Sequence, residues 1–356
     1  MTRPLRVAVS LVGLAAPRTT GLERYGIELV RALRREAPAD VAVVPVVHRW
    51  AAELLAASGD SGPCAVVPEH LPRPLAAEAW LAGWERRHRP DLLHVTAFGA
   101  PAVGAAPVVL TVHDTVPWDL PETISRGNRW YFRPAMDRTL RSGRLRAVVS
   151  PASATAHEVA ERWGLSVPCV GIHTGLDDGW FATSAPTART PGPLRLLTVG
   201  TLEPRKGLDV VAAALPLLRA AGIEVAWRLV GRQGWGDVAL PEGLEVLGAV
   251  DDAELRTLYA STDVLVAPSL MEGFDLPVAE ALAAGCAVVA SDIPVHREVF
   301  GDDAVLVPAG DAGALVTALA TAADDVDLLR STRPDRTASV RRLRWPDAVA
   351  ALVDLW

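Results

Sequence analysis

The chain reads as an α/β protein of two doubly wound domains, each built on a parallel sheet and joined by a polar connector. Three observations predict this. Short, nearly continuous apolar runs alternate with longer segments that carry a helical apolar stripe, the rhythm of strand–helix–strand units covered on both sheet faces. That rhythm stops at residues 182–193, Ala-Thr-Ser-Ala-Pro-Thr-Ala-Arg-Thr-Pro-Gly-Pro, and restarts behind them. A length of 356 residues, half of them hydrophobic, suits two cores of ordinary size.

In chain order, Leu5–Gly13 is predicted as a strand, followed by a loop and a helix from about Leu22 to Glu36 whose Leu22, Tyr25, Leu29, Val30 and Leu33 recur at helical spacing. Strand Asp40–Val47, helix Leu75–Arg87 and strand Asp91–Thr96 follow. Pro107–Val112 is a fully apolar strand ending at His113-Asp114. Pro117-Trp118 through Trp130-Tyr131 reads as a polar, Arg-dotted loop whose aromatic rings could stack on sugars or fill a core. Strand Leu145–Ser150, helix Ala152–Trp163 and strand Val167–Ile172 complete the first half. Behind the connector come strand Leu194–Val199, helix Leu208–Ala221, strand Val225–Val230 and a helix opened by Asp251-Asp-Ala-Glu. Strands at 263–267, 287–290 and 304–307 follow, and the last helix is expected at about Trp345–Trp356. The expected organisation is therefore a domain over 1–181, a linker over 182–193, a domain over 194–335 and a terminal helical segment over 336–356.

The formal charge of −7 speaks against nucleic acid as the main partner. Charge is unevenly divided, with 20 basic and 18 acidic residues over 1–180 and 15 against 24 beyond, so the first half is the basic one. Cys64, Cys169 and Cys286 lie in apolar runs without metal-ligand spacing, which predicts reduced thiols and a cytoplasmic setting. Met1-Thr-Arg-Pro leads directly into an apolar strand, too early for a signal peptide, and no apolar run reaches about 18 residues, so no span is expected. Trp80 and Trp84 precede Glu85-Arg86-Arg87-His88-Arg89 on one helix, which fits a core helix with a charged end or a peripheral contact at the inner membrane face. Asp324-Asp325-Val-Asp327 reads as a solvated acidic turn, and no metal or other cofactor is expected.

Chemistry concentrates at two strand ends in the second half. Pro268-Ser-Leu-Met-Glu272-Gly273-Phe274-Asp275-Leu-Pro277-Val-Ala-Glu280 follows an apolar strand and runs into a helix with Pro at its first turn and Gly285 past its last. Ligands of open α/β sheets bind at such strand ends, Gly273 lets a backbone approach a ligand, and a helix start offers free N–H groups to an anion. Glu272 and Glu280 can face one cleft from a loop and a helix start, or be a surface Glu and a helix Glu near a favourable dipole end. Two strands earlier, Leu194–Val199 runs into Gly200-Thr-Leu-Glu-Pro-Arg205-Lys206-Gly207, with two cations beside a helix start, which suits a diphosphate. Of 35 basic residues, 34 are Arg; Lys206 is the lone Lys, at a place where a compact ammonium is not interchangeable with a guanidinium.

These motifs, with Leu229-Val-Gly231, Val264-Leu-Val-Ala-Pro-Ser269 and the run Glu280–Ser291, resemble glycosyltransferase family 4, whose members are retaining enzymes of the GT-B fold using nucleotide-diphosphate sugars. In the first half, Thr20-Gly21-Leu-Glu-Arg-Tyr25 resembles the family's glycine loop and Val112-His113-Asp114 its sugar-facing histidine. The resemblance implies two Rossmann-like domains facing across a cleft, the first binding the acceptor and the second the donor, with the terminal helix crossing back to the first. It implies that Arg205 and Lys206 hold the diphosphate, Glu280 the ribose, and Glu272 with the Gly273 and Phe274 backbone the donor sugar. It also implies that His113 reaches that sugar, that Gly21 allows the first helix to approach the phosphates, that Gly200 belongs to the donor site and that Asp114 meets the acceptor, for which the ring of Trp118 is a further candidate.

The expected function is transfer of a hexose, mannose first, with retention and without a metal, from a nucleotide sugar to a cytoplasmic glycan, lipid-linked or small-molecule acceptor. The alternatives are a nucleotide-sugar-binding protein without turnover and a sugar-nucleotide epimerase of similar architecture. The chain departs from the family pattern at Asp275, where Gly is usual, at Thr201 and Leu202, where an additional Arg is common, and at Thr174-Gly175, where Asn-Gly is common.

Overall fold

The computed structural model describes residues 3–14, 21–60, 62–68, 75–124, 126–181, 192–234, 240–301, 303–325 and 338–356. The expected linker lies outside them except for Gly192 and Pro193, as does the end of the acidic run from 324 to 327. The chain divides into two compact units. One comprises the residues to Trp118, Arg126–Gly175 and Trp345–Trp356; the other comprises Asp119–Ser125 and Leu176–Arg344.

The first unit is built on a seven-stranded sheet of β1 (Leu5–Ser10), β2 (Val41–His48), β3 (Ala65–Val67), β4 (Leu92–Val95), β5 (Val108–Thr111), β6 (Leu145–Ser150) and β7 (Cys169–Gly171), in the order β3-β2-β1-β4-β5-β6-β7. Every pairing is parallel. Its helices are α1 (Gly21–Glu36), α2 (Arg49–Ala57), α3 (Leu75–His88), α4 (Val116–Asp119, which runs past Trp118), α5 (Arg126–Leu140) and α6 (Ser153–Trp163). Alternate side chains of β1 feed opposite faces: Val7 and Val9 join a core with Leu29, Val30 and Leu33 of α1, whereas Ala8 joins one with Leu81 of α3, Met136 of α5 and Val159 of α6.

Two expectations are corrected here. The stretch from Pro117 to Tyr131 is not a loop: α4, a short 3-10 turn at Pro121–Thr123 and the first part of α5 occupy it. Pro134 and the Arg-rich start hide the helical signal, but α5 buries Ala135, Met136, Thr139 and Leu140, and Tyr131 and Arg138 both bond to Glu78 of α3. Tertiary burial outweighs the weak local pattern. The segment 336–356 is not one helix either: a short helix at Ala338–Arg341 belongs to the second unit, and Pro346, without an N–H to extend a preceding helix, starts a new one at Trp345–Leu355. That terminal helix lies against α1, with Trp345, Val349 and Leu352 in the α1-side core of the first unit. Trp345 packs against Gly175, where any Cβ would collide with its backbone and ring, which accounts for the glycine after Thr174.

The second unit carries a six-stranded sheet of β8 (Leu194–Val199), β9 (Val225–Val230), β10 (Leu244–Gly248), β11 (Val264–Ala267), β12 (Ala287–Ser291) and β13 (Val305–Val307), ordered β10-β9-β8-β11-β12-β13 and again all parallel. Its helices include α7 (Leu208–Ala220), α8 (Asp252–Ala260), α9 (Leu276–Ala283), α10 (Pro294–Phe300) and α11 (Ala312–Asp324). β8 and β11 are neighbours, and from them the chain winds outwards in opposite directions. The loops after these two strands therefore meet at the topological switch point, where open α/β sheets leave a crevice. α9 is almost wholly buried because its core-facing positions are small, and it closes on Ala284, with Gly285 N–H bonded to Leu282 O and Cys286 N–H to Ala281 O.

Among the described residues, no helix is long and apolar enough to cross a membrane. Trp80 and Trp84 of α3 are half-buried against the first unit's core, and Glu85 at the end of that helix is buried, paired to Arg144 and accepting the Ala105 and Ala106 N–H groups.

Candidate active site

The switch point of the second unit is held together by its own backbone. After β8, Pro204–Lys206 forms one 3-10 turn and Gly207 takes a left-handed φ of 64°. A Cβ on Gly207 would collide with the carbonyl oxygen of Pro268, so the two strand-end loops can touch only if residue 207 is glycine. Leu270 N–H then donates to Arg205 O (2.8 Å), and the Arg205 guanidinium donates to Met271 O (3.1 Å).

This stitching brings together residues that are 66 positions apart in the chain. Lys206 Nζ lies 2.6 Å from Glu272 Oε1, and Arg205 Nη1 lies 3.0 Å from Glu272 Oε2. Arg205 Nε also pairs with Glu203 Oε1 at 2.6 Å. The Lys206 and Glu272 side chains are only 12% and 7% exposed, so their attraction is weakly screened. Burial by itself would raise the Glu272 pKa; the Arg205 and Lys206 charges, with hydrogen bonds from Lys206 and Ser269, outweigh it and hold the carboxyl well below the usual range. Gly200 lies beneath the Lys206 stem, and the same residues line a small concavity with Ser269 and Asp275.

The remaining predicted donor residues lie around this cluster. Gly273 and Phe274 continue the Glu272 loop, and the buried Phe274 ring is edge-on to Phe300 of α10 at 5.9 Å. Glu280 is buried one turn into α9 and accepts a hydrogen bond from Tyr259 Oη at 3.2 Å. Asp275 is the N-cap residue of α9 in the left-handed region, φ 73° and ψ 69°, where glycine is at ease. Its carboxylate turns inward to His296.

His113, Gly21, Asp114 and Trp118 belong to the first unit. His113, just past β5, donates from Nε2 to Thr96 O (2.8 Å), with the ring of Tyr25 edge-on at 4.7 Å. Burial pushes its pKa down to about 4, against a smaller opposing effect of the Thr96 carbonyl. Gly21 opens α1 at an exposed position, with nothing among the described residues near enough to obstruct a side chain. Asp114 Oδ1 accepts the Val116 N–H at the start of α4 (3.1 Å), and Trp118 sits edge-on to Trp163 at 4.9 Å with Arg133 over its ring.

Glu203 and Ser269 fall within the quoted motifs without a role of their own, and Tyr259 and His296 were not singled out from the sequence. Glu203 adjoins the cation pair and could have been given one; the roles of the others become visible only once β11, α8 and α10 are seen side by side. Among the described residues no group of three or more His, Cys, Asp or Glu side chains could hold a metal ion.

Two parallel-sheet, Rossmann-like units, one with paired cations and a carboxylate at its switch point, define a glycosyltransferase of the GT-B fold. Family profiles agree: one described as Glycosyltransferase Family 4 matches residues 19–180, and one described as Glycosyl transferases group 1 matches residues 193–325. The phosphatidyl-myo-inositol mannosyltransferase of Mycolicibacterium smegmatis is 32% identical over 287 residues, 75% of this chain and 70% of that one. The O-antigen chain mannosyltransferase B of Escherichia coli is 29% identical over 173 residues, 45% of each chain. Among solved structures, HepE of Anabaena in complex with UDP-glucose matches with a TM-score of 0.74 at 18% identity, covering 98% of this chain and 99% of that one. Sucrose-phosphate synthase from Thermosynechococcus elongatus matches with a TM-score of 0.72, also at 18% identity, covering 99% and 98%. The chain belongs to glycosyltransferase family 4.

Proposed function

We propose that the chain transfers a hexose, mannose in the first instance, from a nucleotide-diphosphate sugar to a glycan, lipid-linked or small-molecule acceptor, with retention of anomeric configuration and without a resident metal. The observation that carries this reading is the Arg205–Lys206–Glu272 cluster at the β8/β11 switch point. Mannose is favoured by the names of the relatives, which are mannosyltransferases.

Breaking the bond between the sugar and the diphosphate builds positive charge on the sugar and negative charge on the leaving phosphate. A guanidinium and an ammonium beside the leaving phosphate stabilise that negative charge. In this reading the diphosphate draws Lys206 and Arg205 towards itself, and Glu272 turns from holding the cations to accepting hydrogen bonds from sugar hydroxyls. The acceptor oxygen attacks the anomeric carbon from the face the phosphate leaves, and its proton passes to the departing phosphate oxygen. No separate base is then required, and the neutral His113 serves as a hydrogen-bonding group towards the sugar.

Incubation with a panel of labelled nucleotide sugars and simple acceptors, read by NMR of the anomeric centre, tests this. Transfer with retention, undiminished by a chelator, is the expected result. An epimerised nucleotide sugar, or binding without any turnover across the panel, would contradict it.

A further inference from the structure

Asp275 holds an unusual backbone for a residue with a side chain. Its φ is 73°, and left-handed backbone costs a non-glycine residue about 1–2 kcal/mol, so it persists only where the surroundings impose it. The side chain makes no capping bond to the helix it precedes. It runs inward instead, with Oδ2 3.0 Å from Nε2 of His296, a fully buried residue of α10. The other ring nitrogen, Nδ1, lies 2.8 Å from the carbonyl oxygen of Ser291. A carbonyl only accepts, so Nδ1 carries a hydrogen; a carboxylate also accepts, so Nε2 carries one too. With Asp275 as a carboxylate, both ring nitrogens donate and the ring carries a positive charge. Burial works against its charge, but the bond to and charge of Asp275, the Ser291 carbonyl and the negative Glu272 push its pKa up.

A buried ion pair of this kind is not an efficient way to stabilise a fold, because desolvation offsets much of the attraction. It does fix geometry. The Asp275 carbonyl accepts the Val278 and Ala279 N–H groups (3.1 and 3.4 Å), so the tether to His296 also sets where α9 begins. One residue earlier, Phe274 packs on Phe300 of the same α10, whose ring lies 6.1 Å from that of His296. Thus α10 braces the end of the Glu272–Gly273–Phe274 loop at two successive residues. Glycine at 275 would adopt the same φ freely but would have no such tether.

We infer that Asp275 and His296 are positioning residues: the pair holds the Gly273–Phe274 peptide groups and the start of α9 in the arrangement that receives the sugar half of the donor, leaving the phosphate half to Arg205 and Lys206. This rests on the function proposed above.

Calorimetric titration separates the two halves without requiring turnover. GDP and GDP-mannose, and UDP and UDP-glucose, are titrated into the wild type, Asp275→Gly and Asp275→Asn. With whichever pair binds the wild type, Asp275→Gly should weaken the sugar-bearing ligand tenfold or more while the bare diphosphate stays within twofold. Asp275→Asn, which tolerates the same backbone and keeps a hydrogen bond but not the charge, should weaken the sugar-bearing ligand about threefold, and supplies the reading if the glycine variant does not fold. Unchanged affinities for both ligands, or equal losses on both, would overturn the inference. A wild type that binds neither member of either pair contradicts the proposed function itself, so the two failures are distinguishable.

Discussion

The two units end their central strands in opposite electrostatic states. In the first, Tyr25, His94 and His113, which gather around β4 and β5, are kept neutral. His113 is held uncharged, His94 is pushed down to about 3 by burial and by the nearby His113, and the phenol of Tyr25 is pushed up to about 12 by burial against a smaller effect of Thr111. In the second, Glu203, Arg205, Lys206 and Glu272 pair as ions at the ends of β8 and β11, with the Asp275–His296 ion pair beneath. One sheet topology thus supports two kinds of strand end. Buried neutral groups suit recognition by shape and neutral hydrogen bonds, whereas opposed fixed charges suit a ligand that brings charges of its own.

The largest difference between the two strand ends is expected at Lys206. Lys206→Ala should weaken nucleoside-diphosphate binding about 30- to 100-fold, the size of a lost charge-assisted bond. Lys206→Arg should recover little of it, because a planar fork does not replace a point charge against Gly200. Calorimetry reads both, and wild-type affinity in the alanine variant would remove phosphate from the account of this site. His113→Ala is the counterpart: diphosphate affinity should stay within twofold while kcat/KM for transfer falls at least tenfold. Equal losses in both quantities would mean that the division of labour is wrong.

Trp345→Ala separates the two units by stability. It empties a buried site between α1 and Gly175 and should cost the first unit about 3–5 kcal/mol. Hydrogen exchange should then speed up in β1 and α1 but not in β8 or β11. Stability also depends on pH, with a sign that differs within the molecule. His113 has a folded pKa below its ordinary 6.5, so its contribution is whole above pH 6.5 and lost as pH falls towards about 4. His296 is raised, so its contribution is whole below pH 6.5 and lost as pH rises through its folded value. Glu272 is lowered, so its contribution is present above pH 4.5 and lost only on stronger acidification. Exchange protection of the first sheet should therefore decline on mild acidification before that of the second.

The order of strands and helices was legible because periodicity and Gly/Pro punctuation are local. β8, β9 and the terminal helix at Trp345 fall within a residue of where their apolar patterns place them. What escaped was set by tertiary context. β10 is an edge strand with Glu245 and Val246 exposed, so it lacks the apolar run of its neighbours. α5 is decided by burial against the sheet despite Pro134. At the site, Arg205, Lys206 and Glu272 could be picked out by residue type and position, but their contact depends on β8 lying beside β11, a pairing no local signal carries. Asp275 was visible as a departure from the family pattern; its partner His296, 21 residues on, was not.

The central claim is that the cation pair at the β8/β11 switch point receives the diphosphate of the donor. A crystal structure with bound nucleoside diphosphate tests it most directly. Phosphate oxygens are expected within hydrogen-bonding distance of both Arg205 and Lys206, with Lys206 Nζ drawn off Glu272. A nucleotide bound elsewhere, with the Lys206–Glu272 pair intact, would contradict it.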